Sequence, residues 1–202
     1  MVSITLNTAM SLTGLSKRTL WRRIADGQLR VHGASSGGGE HTRVRLDDVI
    51  ALSPLRLEAD DRVLIAEADG GSAEAQCDLA LLLLARNLPA EAVRWLALAA
   101  KQNYPEAMHQ LGRCYIGGRG VAANEALGVE WISRAAALGH STARPLARYL
   151  MDPARPTLDA SALEARLDAI EREQVLAVLR ETAEVGGNPA ANKDSRRART
   201  AG

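Results

Sequence analysis

The chain has 202 residues, a formal net charge of +1 and two cysteines, a length that holds one elongated domain or two small ones. Its longest apolar run, residues 79–85, is too short to cross a bilayer, and its first ten residues lack the basic start and apolar core of a secretory leader, so a cytoplasmic protein is expected. Near-neutrality hides a division of charge: seven Lys and Arg stand against two acids in residues 1–46 and four against one from residue 188 onward, so a basic head and tail flank an acidic body.

The chain opens with Ile4-Thr5-Leu6 leading into a short helix that carries Ala9 and Leu12, and Thr13-Gly14 makes a turn. Ser16 is a good N-cap for a second helix, with Leu15 and Leu20 at the N′ and N4 positions of a hydrophobic staple. At about 100° per residue, Leu20 and Ile24 share the inward face of that helix. Arg18 and Arg22 point nearly opposite, Thr19 and Arg23 lie to one side, and Lys17 and Trp21 to the other. The helix stops at Asp26-Gly27. Residues 28–32 and 41–46 alternate as short strands around a loop holding Gly33 and Gly37-Gly38-Gly39, and Asp47 is placed to cap a third helix over residues 48–52. Two short helices across a glycine turn, the second exposing bases, then a basic hairpin: this is the order of a winged helix-turn-helix, whose partner is duplex DNA. On the hairpin, His32, Arg43 and Arg45 are expected to face the duplex backbone or the minor groove, where neutralising phosphate charge supplies affinity without sequence information. His32 and His41 flank the glycine loop with no cysteine or carboxylate set, so no metal is expected there.

These residues resemble the winged-helix heads of the MerR and phage-excisionase type. The shared pattern is Ala9 in the first helix, the turn Gly14-Leu15-Ser16, the helix Ser16-Lys17-Arg18-Thr19-Leu20-Trp21-Arg22, the strand start Gly27-Gln28-Leu29 and the basic strand Arg43-Val44-Arg45. The resemblance implies that Ser16, Arg18, Thr19, Trp21 and Arg22 approach DNA. The loop over residues 34–40 departs from the family in being long and glycine-rich.

Ser53-Pro54-Leu55 separates this head from the rest of the chain, because proline disfavours helix at the residue before it. A helix over residues 57–68 is expected to pack Val63 and Leu64 against a helical repeat. The repeat is seen in three phases: Ala75, Ala107 and Ala143; Ala90, Ala126 and Ala162; and Val63, Trp95, Trp131 and Leu167. The first copy is shorter by four residues where the middle copy carries Gly117-Gly118-Arg119-Gly120. Gly71, Asn103 and Gly139 recur where each second helix must stop, and both residue types tolerate the left-handed conformation that ends a helix. A fixed period of this length marks a solenoid of helical hairpins, with the small alanines expected to let antiparallel helices approach. Cys77 and Cys114 fall at different phases and are expected to be buried small hydrophobes. The middle copy, from Ala107 through Leu111-Gly112, Tyr115, Gly118-Arg119-Gly120-Val121, Glu125-Ala126, Trp131 and Ala135-Ala136 to Gly139, resembles the Sel-like repeats, relatives of the tetratricopeptide repeats. That family implies a protein-interaction scaffold without catalysis, and the resemblance covers residues 57–172.

Beyond Tyr149 prolines end the helix, and Ser161-Ala162-Leu163-Glu164 reads as a capping box that starts one bent helix or two. Leu167, Ile170, Val175 and Val178 form an apolar stripe suited to a homodimer contact. The expected architecture is therefore mostly α: a winged helix-turn-helix over residues 1–55, a Sel-like α-solenoid with a terminal helix over 56–187, and a disordered basic tail over 188–202. There is no nucleophile elbow, phosphate loop or paired-carboxylate motif, so neither enzymatic activity nor a cofactor is expected. The leading reading is a DNA-binding regulator whose body binds a protein partner or a second copy; the alternative is an interaction scaffold that never touches DNA.

Overall fold

The computed structural model describes residues 2–32 and 42–186. The expectations for the glycine loop, His41 and the tail lie outside the described residues. The head consists of β1 (Ser3–Thr5), α1 (Leu6–Thr13), α2 (Lys17–Ala25), β2 (Val31–His32), β3 (Arg43–Arg45) and α3 (Leu46–Leu52). The strands form one antiparallel sheet in the order β1-β3-β2, with Ile4 and Val31 both registered on Val44. Ile4, Leu6, Leu12, Leu20, Leu29, Val44 and Val49 are buried beneath it. Each helix start and stop has a local cause. Thr5 and Ser16 accept hydrogen bonds from Thr8 and Thr19 backbone N–H groups, and Gly14 ends α1 with φ +68°, returning its N–H to the Met10 carbonyl. Asp47 does not cap α3 as expected. That helix follows directly on β3, and the acidic residue that matters is Asp48, which accepts from both the backbone and the guanidinium of Arg30. Nor is β1 only a lead-in to α1: it pairs with β3.

The regular elements of the body, among its described residues, are all helices: α4 (Ala59–Asp69), α5 (Ala73–Ala85), α6 (Pro89–Lys101), α7 (Pro105–Gly117), α8 (Glu125–Ala137), α9 (Ala143–Leu150) and α10 (Ala160–Gly186). From α4 to α9 each helix packs on the next, so the core is a row of shared faces. Ala75, Ala107 and Ala143 are all buried, as the first phase requires. Gly71, Asn103 and Gly139 all have positive φ at the ends of their hairpins. The three residues between α5 and α6 replace seven between α7 and α8, which accounts for the four missing from the first copy. Asn87 (φ +59°) ends α5 where Gly118 (φ +65°) ends α7.

Two phases depart from expectation. Ala90 and Ala126 are exposed, and the close approach within the middle hairpin is made by glycines instead. A Cβ on Gly112 would lie 2.8 Å from the Gly128 carbonyl oxygen and 2.6 Å from Ile132 Cγ1, so α7 and α8 meet backbone to backbone. Val63 is 60% exposed; Ile65 and Ala68, on the far side of the helix from it, pack α4 instead. Both cysteines are buried and free. Burial raises their thiols, that of Cys77 to about 12, which keeps them in the unreactive protonated form.

α10 is one helix, started by Asp159 accepting from the Ala162 N–H and not by Ser161. It packs on α7 and α9, the first helices of two hairpins, so the third copy does not close as the middle one does. The prolines in residues 151–159 release the chain from the hairpin, and ion pairs to Arg113 on α7 seat it.

Candidate nucleic-acid interface

α2 presents the face expected of it. Leu20 is buried and Ile24 half-buried, while Ser16, Lys17, Arg18 and Arg22 are exposed. Lys17, Arg18 and Arg22 have no ion pair among the described residues. Ser16 caps the helix, its Oγ 3.2 Å from the Thr19 amide nitrogen and 2.9 Å from Thr19 Oγ1. Thr19 is half-buried, Trp21 packs partly into the core, and Arg23, also half-buried, donates to the Gln28 side-chain oxygen.

The hairpin fits the expectation less well. His32 is exposed, but Arg43 turns toward the body: its Nη2 donates to Asp69 Oδ2 at 2.6 Å and to the Ser3 carbonyl at 2.6 Å. The cause is the Asp69 carboxylate at the end of α4. Its side chain is 1% exposed, and it also accepts from the Thr5 N–H and from the Thr5 and Thr8 hydroxyls. An enclosed carboxylate needs a cation, and Arg43 is the cation in reach. Arg45 is half-buried with its Nε enclosed and unpartnered. Arg30–Asp48 and Arg62–Asp47 neutralise further head charge, so the open cationic surface concentrates on α2. A second tie joins head to body: Trp95 Nε1 on α6 donates to Ser11 Oγ on α1 at 2.8 Å.

Sequence reasoning missed a charged cluster between α7, α9 and α10. Arg113, with a side chain 10% exposed, donates to Asp168 (2.6 Å), Glu171 (2.5 Å) and Glu164 (3.2 Å). His109 Nε2 lies 3.1 Å from the same Glu171, its ring stacks on His140 at 4.7 Å, and His140 Nε2 lies 2.7 Å from Glu106. A signal was present: His109 and Arg113 are four apart on one helix, and Glu164, Asp168 and Glu171 fall four and three apart on another. Nothing local says that the two stripes meet. Glu106, His109 and His140 together have metal-ligand types within 4.8 Å of one another. The Ala143 N–H donates to His140 Nδ1, however, which leaves the ring proton on Nε2 facing Glu106. A cation there would have to displace that proton against the bond at the other nitrogen, so the set suits protons better than a metal.

The pH dependence follows from these contacts. Burial alone would lower His109, but Glu106 and Glu171 outweigh it and raise the imidazole above its ordinary 6.5. The His109 imidazole beside it, Nδ1 3.9 Å from Oε1, and then the hydrogen bond with His140 hold Glu106 far below its ordinary 4.5. Burial pushes Glu171 up, and His109 and Arg113 overcome this to lower it. The carboxylates contribute stability that is complete above their unfolded value and lost as pH falls. His109 contributes stability that is complete below its unfolded value and lost as pH rises through the raised folded one. Melting temperature is therefore expected to peak between pH 4.5 and 6.5 and decline toward pH 8, and His109→Gln to flatten the alkaline decline. Scanning calorimetry across that range checks both; an alkaline slope unchanged in the variant would show that His109 does not set it.

The body is thus a stack of two-helix repeats with a terminal helix across it. The family model for the Sel1 repeat matches residues 73–104 and 105–140, so these stretches are two Sel1 repeats. Among solved structures the chain is similar to a Sel1 repeat protein from Oxalobacter formigenes, at 29% identity and a TM-score of 0.43 over 60% of this chain. It spans 38% of that protein's length. No curated protein matches it.

Proposed function

We propose that this protein is a non-catalytic interaction adaptor whose repeat body docks a protein partner. The observation that carries the reading is the surface where the two Sel1 repeats meet. A groove between the end of α6 and α8 is lined by Lys101, Met108, Trp131, Arg134 and Leu138. Leu138 is exposed, Trp131 is half-buried, and the Arg134 guanidinium sits 5.1 Å from the centre of the Trp131 ring. Aromatic, Met and Arg side chains gathered at one apolar spot are what protein interfaces concentrate. The test is affinity capture with quantitative mass spectrometry: a partner held by the wild type is expected to be lost by Arg134→Ala/Leu138→Asp and retained by Arg18→Ala/Arg22→Ala. A partner set unchanged by the groove variant would sink the assignment.

A second reading concerns the head, which we read as a winged helix-turn-helix that binds duplex DNA and brings the docked partner to it. What supports it is that Arg18 and Arg22 are exposed on the face of α2 opposite Leu20 and Lys17 is exposed to one side, all three unpaired among the described residues. On this reading Ser16, Thr19 and Trp21 flank the contact, and Arg43 acts by holding the hairpin. In fluorescence anisotropy at low salt, Arg18→Ala/Arg22→Ala is expected to abolish duplex binding with unchanged helix content. Each residue that reaches a base edge contributes about 1–3 kcal/mol. A wild type that retains no duplex at low salt leaves the adaptor without its DNA arm.

A further inference from the structure

α10 has two unlike halves. In the first, Leu163, Leu167 and Ile170 are buried, which removes Leu167 and Ile170 from the expected dimer stripe. In the second, Val175, Leu176, Val178 and Leu179 are exposed, Leu176 at 51% and Leu179 at 58%. At about 100° per residue, Val175, Leu176 and Leu179 fall within one stripe roughly 100° wide, and Val178 lies off it. Glu173 and Arg180, seven residues apart, run along one edge of that stripe, and Glu173 makes only a long, exposed contact within its own copy, 3.8 Å to Arg166 Nη1.

We propose that this stripe is an interface for a second copy of the chain, the two α10 helices lying antiparallel about a two-fold axis between Leu176 and Ala177. The charges single out this occupant. Opposite signs seven residues apart on one edge are self-complementary only when the second helix runs in reverse: Glu173 of each copy then faces Arg180 of the other, giving two equivalent ion pairs beside an apolar seam. Running parallel, the two helices would set Glu level with Glu and Arg level with Arg. Leu176 of one copy packs beside Leu179 of the other, which covers the side chains that each copy alone leaves in water. The buried half of α10 holds this stripe at a fixed orientation to the body. The inference is independent of both readings of the head and the groove.

Sedimentation velocity on the full chain tests it. The wild type is expected to sediment as a dimer, and Leu176→Glu/Leu179→Glu as a monomer with the same melting temperature for the body, since both residues are exposed. Glu173→Arg turns both ion pairs into repulsions and is expected to weaken the dimer about tenfold, and adding Arg180→Glu, which restores opposite signs, to recover it. A wild type that is monomeric through the micromolar range would overturn the proposal and leave the stripe to residues 187–202 or to another protein. A dimer that survives Leu176→Glu/Leu179→Glu would also overturn it, as would a charge reversal that Arg180→Glu does not rescue.

Discussion

Trp95→Ala is expected to destabilise the protein by about 3–5 kcal/mol, the range for losing a large buried side chain. The indole is 6% exposed and sits where the head meets the body, donating from Nε1 to Ser11 Oγ at 2.8 Å. It also lines a cleft of about 320 Å³ together with Met10, Ser11, Arg94 and Leu98. Surroundings already open on one side collapse poorly onto a lost side chain, which places the cost toward the upper end. Ser11, itself buried, loses its partner as well. Trp131 holds the same repeat phase but is half-buried, so Trp131→Ala is expected to cost clearly less. Thermal melting of the two variants decides the matter: an equal or larger loss at Trp131 would mean that the head contact adds nothing. Trp95→Phe keeps most of the ring volume and removes the hydrogen bond, which isolates a share of about 1 kcal/mol.

The parts of this structure legible in the sequence are those with local causes. A serine three residues before the amide it caps, a glycine at positive φ and an asparagine in the place of one all act within one helical turn. Ser16, Gly14 and the series Gly71, Asn103 and Gly139 are therefore placed by their neighbours in the chain. The Ala75, Ala107 and Ala143 phase was legible because periodic burial is periodic in sequence. What escaped depends on partners distant in the chain. Arg43 looks like a phosphate ligand until Asp69, 26 residues on, is found enclosed beside it. Glu164 looks like the far end of a capping box until Arg113, 51 residues earlier, takes it. Val63 shares the phase of Trp95, but no repeat precedes α4 to cover that phase, so it faces water there. The Gly112–Gly128 approach was hidden for another reason: a glycine in a helix reads as a weakness, and only the opposing backbone shows that it is the contact.

Arg113→Met is expected to release α10 from the body at a cost of about 3 kcal/mol, the lower end of the range for breaking a buried ion pair. The lower end applies because its partners retain solvent: the Glu164 and Glu171 side chains are each 26% exposed and Asp168 is 54% exposed. Without the guanidinium, Glu164 and Glu171 keep their negative charge against the apolar faces of α7 and α9, with His109 alone to offset it. Leu163, Leu167 and Ile170 still favour docking, so the helix is expected to open locally while α5 to α8 stay folded. Hydrogen exchange reads this directly as faster exchange confined to α10, and limited proteolysis reads it as new cleavage in residues 151–159. Adding Glu164→Gln and Glu171→Gln to Arg113→Met removes the stranded charges and is expected to recover much of the loss, because an apolar or neutral replacement of a whole buried ion cluster is often close to neutral. A triple variant as unstable as the single one would place the cost in the lost packing of the arginine stem and not in the charges. Exchange unchanged in α10 of Arg113→Met would mean that the leucines alone hold it, and that the charge cluster does not seat the helix.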